Sequence, residues 1–293
     1  MKRFLWLAAG LCCAGACPAR AADAAASRLV SHRAVYDLSL KSTAGGASSV
    51  VHAAGQLLYT VRKVCGIWKT ETVFSLDVSY ELSGVDTTHW KQTTSESPDG
   101  CHFDFDVYTF VRGKDVRELS GTARCEGKKK HVLLSYPLKS EASFPPNVAF
   151  PMQQTEALLK AAASGKKSLS SYVYDGTRLE GLHLMHAMIS DRPPSSGRAA
   201  EVSGDVDLLK GRSYWFDVAF YNDMGLGGTD DGRPFYEAGL RYYENGLSDG
   251  IIQDFGTYRL QSILKDVRKL DDIPCPSEKK GSPLKKTEKR VIK

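Results

Sequence analysis

Residues Trp68–Leu82 read WKTETVFSLDVSYEL, and this stretch decides how the chain folds. Apolar side chains at Phe74, Leu76 and Val78 alternate with polar ones such as Ser75. Successive side chains of a β-strand point to opposite faces, so a period of two is typical of a strand with one buried face. The pattern therefore predicts a long, half-buried strand over residues 68–82.

The same alternation recurs along most of the chain. Phe103 and Phe105 alternate with acidic residues within a second strand, predicted over residues 101–111. Further candidate strands cover residues 32–40, 50–62, 86–94, 114–124, 131–136, 169–174, 182–190, 199–208, 212–221, 235–244, 250–257 and 258–268. Turn residues at 95–100 and 244–246 indicate hairpin connections. Short strands separated by turn residues at this frequency predict an antiparallel barrel or sandwich.

One helix is expected near the middle of the chain. Pro151 suits its first turn, residues 153–163 are good helix formers, and Gly165 is placed to end it. No shift of composition on either side marks a domain boundary. We therefore expect a single β domain over residues 23–276, a length within the range of all-β domains.

The N-terminus has the three parts of a secretory signal peptide. A basic start precedes an apolar run over residues 4–11, and small residues follow up to Ala19-Arg-Ala21. This order predicts that residues 1–22 are a signal peptide, cleaved near Ala21 or Ala22.

A lipoprotein with its lipid on Cys17 is the alternative interpretation of the N-terminus. The large aliphatic residue expected three positions before such a cysteine is missing, which favours ordinary cleavage. No later stretch reaches the length of a membrane-spanning helix.

Cleavage would leave four cysteines in the mature chain: Cys65, Cys101, Cys125 and Cys275. Export favours disulfides, because the compartments outside the cytosol are oxidising. Four cysteines allow three connectivities, and the sequence alone does not choose among them. Cys101 and Cys125 bracket a predicted hairpin, which favours the nested pairing Cys101–Cys125 with Cys65–Cys275. The alternative for the shorter pair is two buried thiols that never meet.

Positive charge is concentrated at the C-terminus. The chain has a formal net charge of +5, and the tail after Cys275 holds seven basic and two acidic side chains. Residues 1–22 hold three more basic residues and no acidic one, which leaves the body from residue 23 to Cys275 with a net charge of −3. We expect residues 277–293 to be a disordered basic tail. Such a tail can contact anionic phosphate groups at a membrane surface, or can simply be a solubilising end. An acidic body in an exported protein argues against nucleic acid as a partner.

The histidines and cysteines do not predict a metal or catalytic site. His183 and His186 lie three apart in a predicted strand, so they point to opposite faces and should not share a metal. Cys101 and His102 are adjacent in a strand and therefore also diverge, and no third orienting group accompanies them. We predict no metal and no cofactor.

Two acidic segments resemble ligand or catalytic sites in composition. Residues 222–232 combine glycines with three aspartates, a composition that can bind calcium. They lack the spacing and the glutamate of an EF-hand. A hairpin tip is the favoured interpretation. Asp205 and Asp207 would share one face of the strand predicted over 199–208, where they indicate a charged outer face rather than paired catalytic acids. With no G-x-S-x-G elbow, we predict no catalytic residue.

Aromatic pairs and triplets are frequent in the second half of the chain. They are Tyr214-Trp215-Phe216, Phe220-Tyr221, Phe235-Tyr236 and Tyr242-Tyr243. Where a sheet curls, alternate aromatics would line its concave face and can receive a lipid tail, a peptide or another strand. Most of them are expected simply to fill the core.

The order of several segments resembles a known family. They are SHRAVYDLSL at 31–40, CGIW at 65–68, AFPMQ at 149–153, VYDG at 173–176, RYYENG at 241–246 and IPCP at 273–276. Together they resemble the EipB family of periplasmic cell-envelope integrity proteins, long catalogued as a domain of unknown function. The resemblance covers about residues 30–276 and depends on the order of the segments rather than on one motif.

The resemblance implies one long antiparallel sheet coiled into an open, spiral-like barrel around one main helix. It also implies a disulfide between Cys65 and Cys275, a Gram-negative periplasm and a role in envelope integrity. Cys101, Cys125 and the basic tail are not part of the family pattern, so their roles depend on the residues alone.

We therefore expect a non-enzymatic periplasmic protein that supports envelope integrity. Its partner would be an envelope protein or lipid component that binds a groove or edge of a disulfide-locked curved sheet. The alternative is a periplasmic carrier that holds a lipid or lipidated polypeptide against the aromatic concave face.

Overall fold

A computed structural model of the chain describes residues 28–44, 50–111, 114–177, 181–192, 198–222 and 232–275. Within these ranges the chain forms fifteen strands and one α-helix. The strands are β1 His32–Thr43, β2 Val50–Val64, β3 Ile67–Tyr80, β4 Gly84–Glu96, β5 His102–Val111, β6 Lys114–Glu126, β7 Lys129–Tyr136, β8 Ser140–Phe144, β9 Ser168–Tyr174, β10 Leu182–Ser190, β11 Ser203–Gly204, β12 Ser213–Asn222, β13 Tyr236–Tyr243, β14 Ser248–Asp254 and β15 Tyr258–Lys269. The helix, α1, spans Pro151–Ala163.

The strands form a single sheet that coils without closing. The order across it is β8-β7-β6-β5-β4-β3-β2-β1-β15-β14-β13-β12-β10-β9, with antiparallel neighbours throughout. The two-residue strand β11 lies off this path and runs parallel to β15. β1 is therefore near the middle, between β2 and β15, while β8 and β9 are the two ends. The predicted open, mainly β fold is confirmed.

Helix α1 carries the chain from one end of the sheet to the other. Just before it, the Ala149 N–H donates to Tyr172 O at 2.8 Å and the Tyr174 N–H donates to Ala149 O at 3.0 Å, which covers the outer edge of β9. The helix begins at Pro151 as predicted, and Gly165 follows it with φ of +80°, a conformation that suits glycine.

An aromatic cluster joins the two ends of the sheet. Phe103 stacks on Phe150 with ring centroids 4.7 Å apart, and Phe105 meets Tyr174 edge-on at 5.6 Å. Phe144 of β8 also contacts Tyr174 of β9, at 5.2 Å. All five rings are buried. β8 and β9 do not pair with each other, so these aromatic contacts are what joins the two ends of the coiled sheet.

The prediction of a strand over residues 199–208 is wrong. The segment forms 3₁₀ turns at Arg198–Glu201 and Val206–Leu209, with only the two residues of β11 paired between them. Gly204 has φ of +89°, and a Cβ atom there would lie 2.1 Å from Val267 O, so the backbone turns closely against β15. Local alternation in the sequence did not show this approach.

Other parts of the sheet also differ from expectation, among them the end of β3 and the whole of β8. β3 ends at Tyr80, and Leu82 lies 94% exposed in the turn that follows, because the hairpin to β4 is tight. β8 was not predicted, since its sequence, SEASF, is short and mostly polar. The hairpins predicted at 95–100 and 244–246 are confirmed.

Several predictions concern residues outside the described ranges. These are the signal peptide over 1–22, the lipidated Cys17, the basic tail over 277–293 and most of the glycine-rich segment 222–232. Among the described residues, no helix is long and apolar enough to cross a membrane.

Candidate functional site

A cavity of about 350 Å³ lies between helix α1 and the sheet. Its wall is built mainly by β1, β2, β12, β13 and β14 together with the first two turns of the helix, and Thr72 of β3 and Val173 of β9 also contribute. Aromatic side chains supply much of this wall: Tyr36, Tyr59, Phe220, Tyr236 and Tyr242. Aliphatic side chains, among them Leu158 and Leu240, complete it. This volume is in the usual range for small-molecule sites.

The tyrosine hydroxyls of the wall are neutral. Burial, and then the neighbouring Tyr242 and Tyr59 hydroxyls, raise the pKa of Tyr36 well above its usual value, and its O–H donates to Ser248 O at 2.8 Å. Burial likewise raises the pKa of Tyr59 and Tyr242. The hydroxyl of Tyr236 accepts a hydrogen bond from Gln253 Nε2 at 2.9 Å. The cavity is thus an apolar space with a few fixed hydrogen-bonding groups.

Glu96 of β4 holds the helix that forms one side of the cavity. Its Oε2 accepts the Met152 N–H at 2.8 Å and its Oε1 accepts the Gln153 N–H at 2.9 Å. Phe150, at the N-cap position, provides no side-chain cap, so Glu96 supplies the acceptors that the first helical N–H groups lack. Burial raises the pKa of Glu96 to about 7, although these hydrogen bonds and Lys130 oppose the rise.

Lys130 of β7 supports the same helix end. Its Nζ donates to Val148 O at 2.7 Å and to Gln153 Oε1 at 3.4 Å, and it lies 4.1 Å from the centroid of the Phe150 ring. Burial lowers the pKa of Lys130, which is 3% exposed. Glu96 and Lys130 thus both form hydrogen bonds at the start of α1 and fix its position across the sheet.

The four cysteines within the described ranges are joined in two disulfides. Cys65 is bonded to Cys275, 210 residues away, with Cα atoms 4.5 Å apart. Cys65 lies in the tight turn between β2 and β3, where its N–H donates to Ile273 O at 2.8 Å. Cys101 is bonded to Cys125 across the β5–β6 pair, with Cα atoms 4.8 Å apart. The longer bond ties the segment after β15 to the first half of the sheet.

The other candidate residues do not converge on one site. His183 is buried in β10 beside Phe235, with ring centroids 4.7 Å apart, whereas His186 Nδ1 lies 2.8 Å from Ser170 Oγ on the opposite face. His102 Nε2 contacts Asp104 Oδ2 at 2.6 Å, and Cys101 beside it is in a disulfide. Within the described ranges, no three His, Cys, Asp or Glu side chains gather closely enough to hold a metal.

Asp205 and Asp207 are not a carboxylate pair on a strand. Asp205 Oδ2 accepts the Lys269 N–H at 2.8 Å, while Asp207 forms an exposed ion pair with Lys210 at 2.6 Å. The first is a structural acceptor beside β15 and the second is a surface contact. They separate because the 3₁₀ turn replaces the predicted strand.

The aromatic residues divide between the cavity and the core. Phe220, Tyr236 and Tyr242 line the cavity, as expected of alternate aromatics on a curled sheet. Tyr214 and Phe216 are buried in the cluster that packs against α1.

Sequence reasoning missed Glu96, Lys130 and the buried His32 of β1, which also lines the cavity. One signal was present: Lys130 shares its alternation with buried Val132 and Leu134, so a charge occupies an inward position of its strand. A charged residue in the apolar phase of a strand needs an internal partner.

The fold defines the class of protein: a protein built on a single antiparallel sheet that coils into an open barrel around one helix. A crystal structure of a beta-barrel-like protein of domain of unknown function DUF1849 from Brucella abortus has the same fold, with a TM-score of 0.75. It is 24% identical in sequence, and the match covers 84% of this chain and 100% of that one.

The family follows from sequence comparison. The family model described as EipB-like matches residues 23–271, and the chain belongs to the EipB-like family. It is 28% identical over 267 residues to the cell envelope integrity protein EipB of Brucella abortus (strain 2308), covering 89% of this chain and 90% of that protein. The resemblance noted in the sequence is confirmed.

Proposed function

We propose that this protein is a non-enzymatic periplasmic protein that supports the integrity of the cell envelope by binding an envelope partner. The observation that carries the proposal is its similarity, over nine-tenths of both chains, to a cell envelope integrity protein. Two disulfides support an exported location, because such bonds persist in oxidising compartments. The bonded state of Cys101 leaves His102 without a neighbouring thiol nucleophile, which supports a non-catalytic role.

A partner has a suitable place to bind at the end of the sheet. Among the described strands, β8 pairs with β7 alone, so its other edge presents backbone hydrogen-bonding groups. An exposed strand edge of this kind can accept an additional strand from another polypeptide. The disulfides and the buried helix would hold that edge in place.

Complementation of a strain that lacks the gene tests the role and the compartment together. We expect the deletion strain to be sensitive to detergent, and the full-length chain to restore resistance. The same chain without residues 1–22 should fail, because it stays in the cytosol. A deletion strain as resistant as its parent would contradict the envelope role, and rescue by the leaderless chain would contradict the periplasmic location.

A second candidate function is that of a carrier for a lipid or lipidated polypeptide. The cavity of about 350 Å³ favours it, because its wall is largely aromatic and aliphatic and lies between elements held rigidly together. Native mass spectrometry of protein purified from the periplasm should then detect a bound apolar molecule.

A cavity-filling variant makes that measurement specific. Ala238 packs on the helix-side cluster and lines the cavity, so Ala238→Phe should fill the space and remove the bound mass. Ala219 is on the neighbouring strand β12, next to the cavity-lining Val218 but in the opposite phase, and Ala219→Phe should retain the bound mass. Absence of any bound molecule from the wild type, or equal loading of both variants, would contradict the carrier function.

A further inference from the structure

His32 presents one unused hydrogen-bonding atom inside the protein. It begins β1, is 2% exposed and lines the cavity. Its Nδ1 lies 2.8 Å from Val30 O, and since a carbonyl only accepts, Nδ1 must carry the hydrogen. Its Nε2 is buried and has no hydrogen-bond partner in the part of the chain that the structure describes. Burial lowers the pKa of His32, so the ring is neutral and Nε2 is an acceptor.

The remaining polar groups around the cavity disfavour an anionic ligand. Among the described residues that line it there is no lysine or arginine, and there is one carboxylate, that of Asp175. Gln253 Oε1 is a second buried acceptor with no partner in the described ranges. A carboxylate or phosphate placed here would lose its hydration without gaining a counter-charge. A neutral ligand with a hydrogen-bond donor would instead form a hydrogen bond with an acceptor that is already out of water, such as His32 Nε2.

The volume limits how much of a ligand lies inside the cavity. At about 30 Å³ for each water-sized group, a cavity of this size holds roughly a dozen such groups. That corresponds to one short acyl or alkyl chain with a small polar end. A two-chain phospholipid is much too large to be enclosed.

We propose that the cavity binds a neutral, single-chain lipid whose polar end donates a hydrogen bond to Nε2 of His32, while its chain lies against the aromatic wall. This inference rests on the proposed carrier function and specifies the chemistry of the ligand. Tyr59 is adjacent to the polar end, with its ring centroid 5.9 Å from that of His32.

One other arrangement would satisfy His32. A second cavity of about 30 Å³ lies beside it, bounded in part by Leu29 and Asn245, and that space suits a single water molecule. A water there could donate to Nε2 without any ligand. The two arrangements differ in what they predict for ligands with and without a donor.

Three probes of nearly equal length test the proposal on the mature chain. They are 1-decanol, which has a donor, decyl methyl ether, which has none, and decanoate at pH 8, which is charged. Calorimetric titration should show 1-decanol binding about tenfold more tightly than the ether, the value of one hydrogen bond to a desolvated acceptor. Decanoate should bind more weakly than the alcohol.

The outcomes separate this inference from the function on which it rests. Equal affinity for the alcohol and the ether would overturn the role of His32 and leave the carrier function standing. Failure of all three probes to bind would overturn both. Tighter binding of decanoate than of 1-decanol would overturn the neutral class of ligand.

A substitution places the effect at His32. His32→Leu should weaken 1-decanol binding to the level of the ether and leave ether binding unchanged. His186 does not line the cavity, and its ring contacts Ser170 instead. His186→Leu should therefore alter neither affinity. A ten-fold preference for the alcohol that survives in folded His32→Leu would overturn the assignment. If that variant does not fold, equal affinity of the wild type for the alcohol and the ether would still overturn the proposal.

Discussion

Replacing both Cys65 and Cys275 by serine is expected to lower the free energy of unfolding by about 5 kcal/mol, and the melting temperature by about 10 °C or more. The bond joins residues that are 210 positions apart, so its loss frees most of the chain in the unfolded state. By the chain-entropy estimate the effect grows with ring size. Denaturant unfolding of the oxidised proteins measures it, and changing both cysteines avoids leaving a free thiol.

The second disulfide provides a matched control within the same molecule. Cys101 and Cys125 are 24 residues apart, so the same estimate gives about 3 kcal/mol for the double serine variant. The order of the two effects is the informative result. Equal losses, or a smaller loss for Cys65 and Cys275, would show that ring size does not govern their contribution. Unchanged stability after removal of the longer bond would contradict its structural role altogether.

Glu96→Ala is expected to lower the free energy of unfolding by about 3 kcal/mol at pH 5. The substitution leaves the Met152 and Gln153 N–H groups without their acceptor, in a site where Glu96 itself is 1% exposed. At pH 5 the carboxyl is protonated, because burial raises its pKa to about 7, so the loss comes from the two hydrogen bonds and the buried side chain rather than from a charge. Denaturant unfolding measures the loss, and Glu96→Gln, which keeps one carbonyl acceptor and nearly the same volume, should lose less.

The same residue should make stability depend on pH. The pKa of Glu96 rises from its ordinary 4.5 to about 7 in the folded protein, so between these values the folded state binds the proton more tightly than the unfolded state. The contribution of Glu96 to stability is therefore greatest below pH 4.5, falls as the pH rises, and is lost above about 7. For this shift the full change is about 3 kcal/mol.

Glu96→Gln serves as the control for that pH dependence, because an amide does not titrate. The wild type should lose stability relative to this variant between pH 5 and pH 7.5. Parallel stability curves for the two proteins across this interval would contradict a raised pKa at Glu96. A rise in the relative stability of the wild type with pH would reverse the sign of the effect.

Local periodicity accounted for most of the sheet. The alternation in Trp68–Tyr80 and in 182–190 is a property of neighbouring residues, and each segment forms a strand over nearly the predicted bounds. The helix could also be predicted from the sequence, because Pro151 and Gly165 constrain the backbone at its two ends. The prediction was wrong over 199–208, where close approach to β15 outweighed the alternation.

Most of the strands, the helix and the order of segments that is typical of the family could be predicted from the sequence alone. Those features depend on residues close together in the chain, whose side-chain period and turn chemistry act before any distant contact forms. The contact of Glu96 with the start of α1 and the position of His32 beside a cavity depend on the folded arrangement of the whole sheet. Alternation shows that a strand has two faces, but which face is enclosed, and what lies opposite it, depends on how strands far apart in the chain coil around the helix.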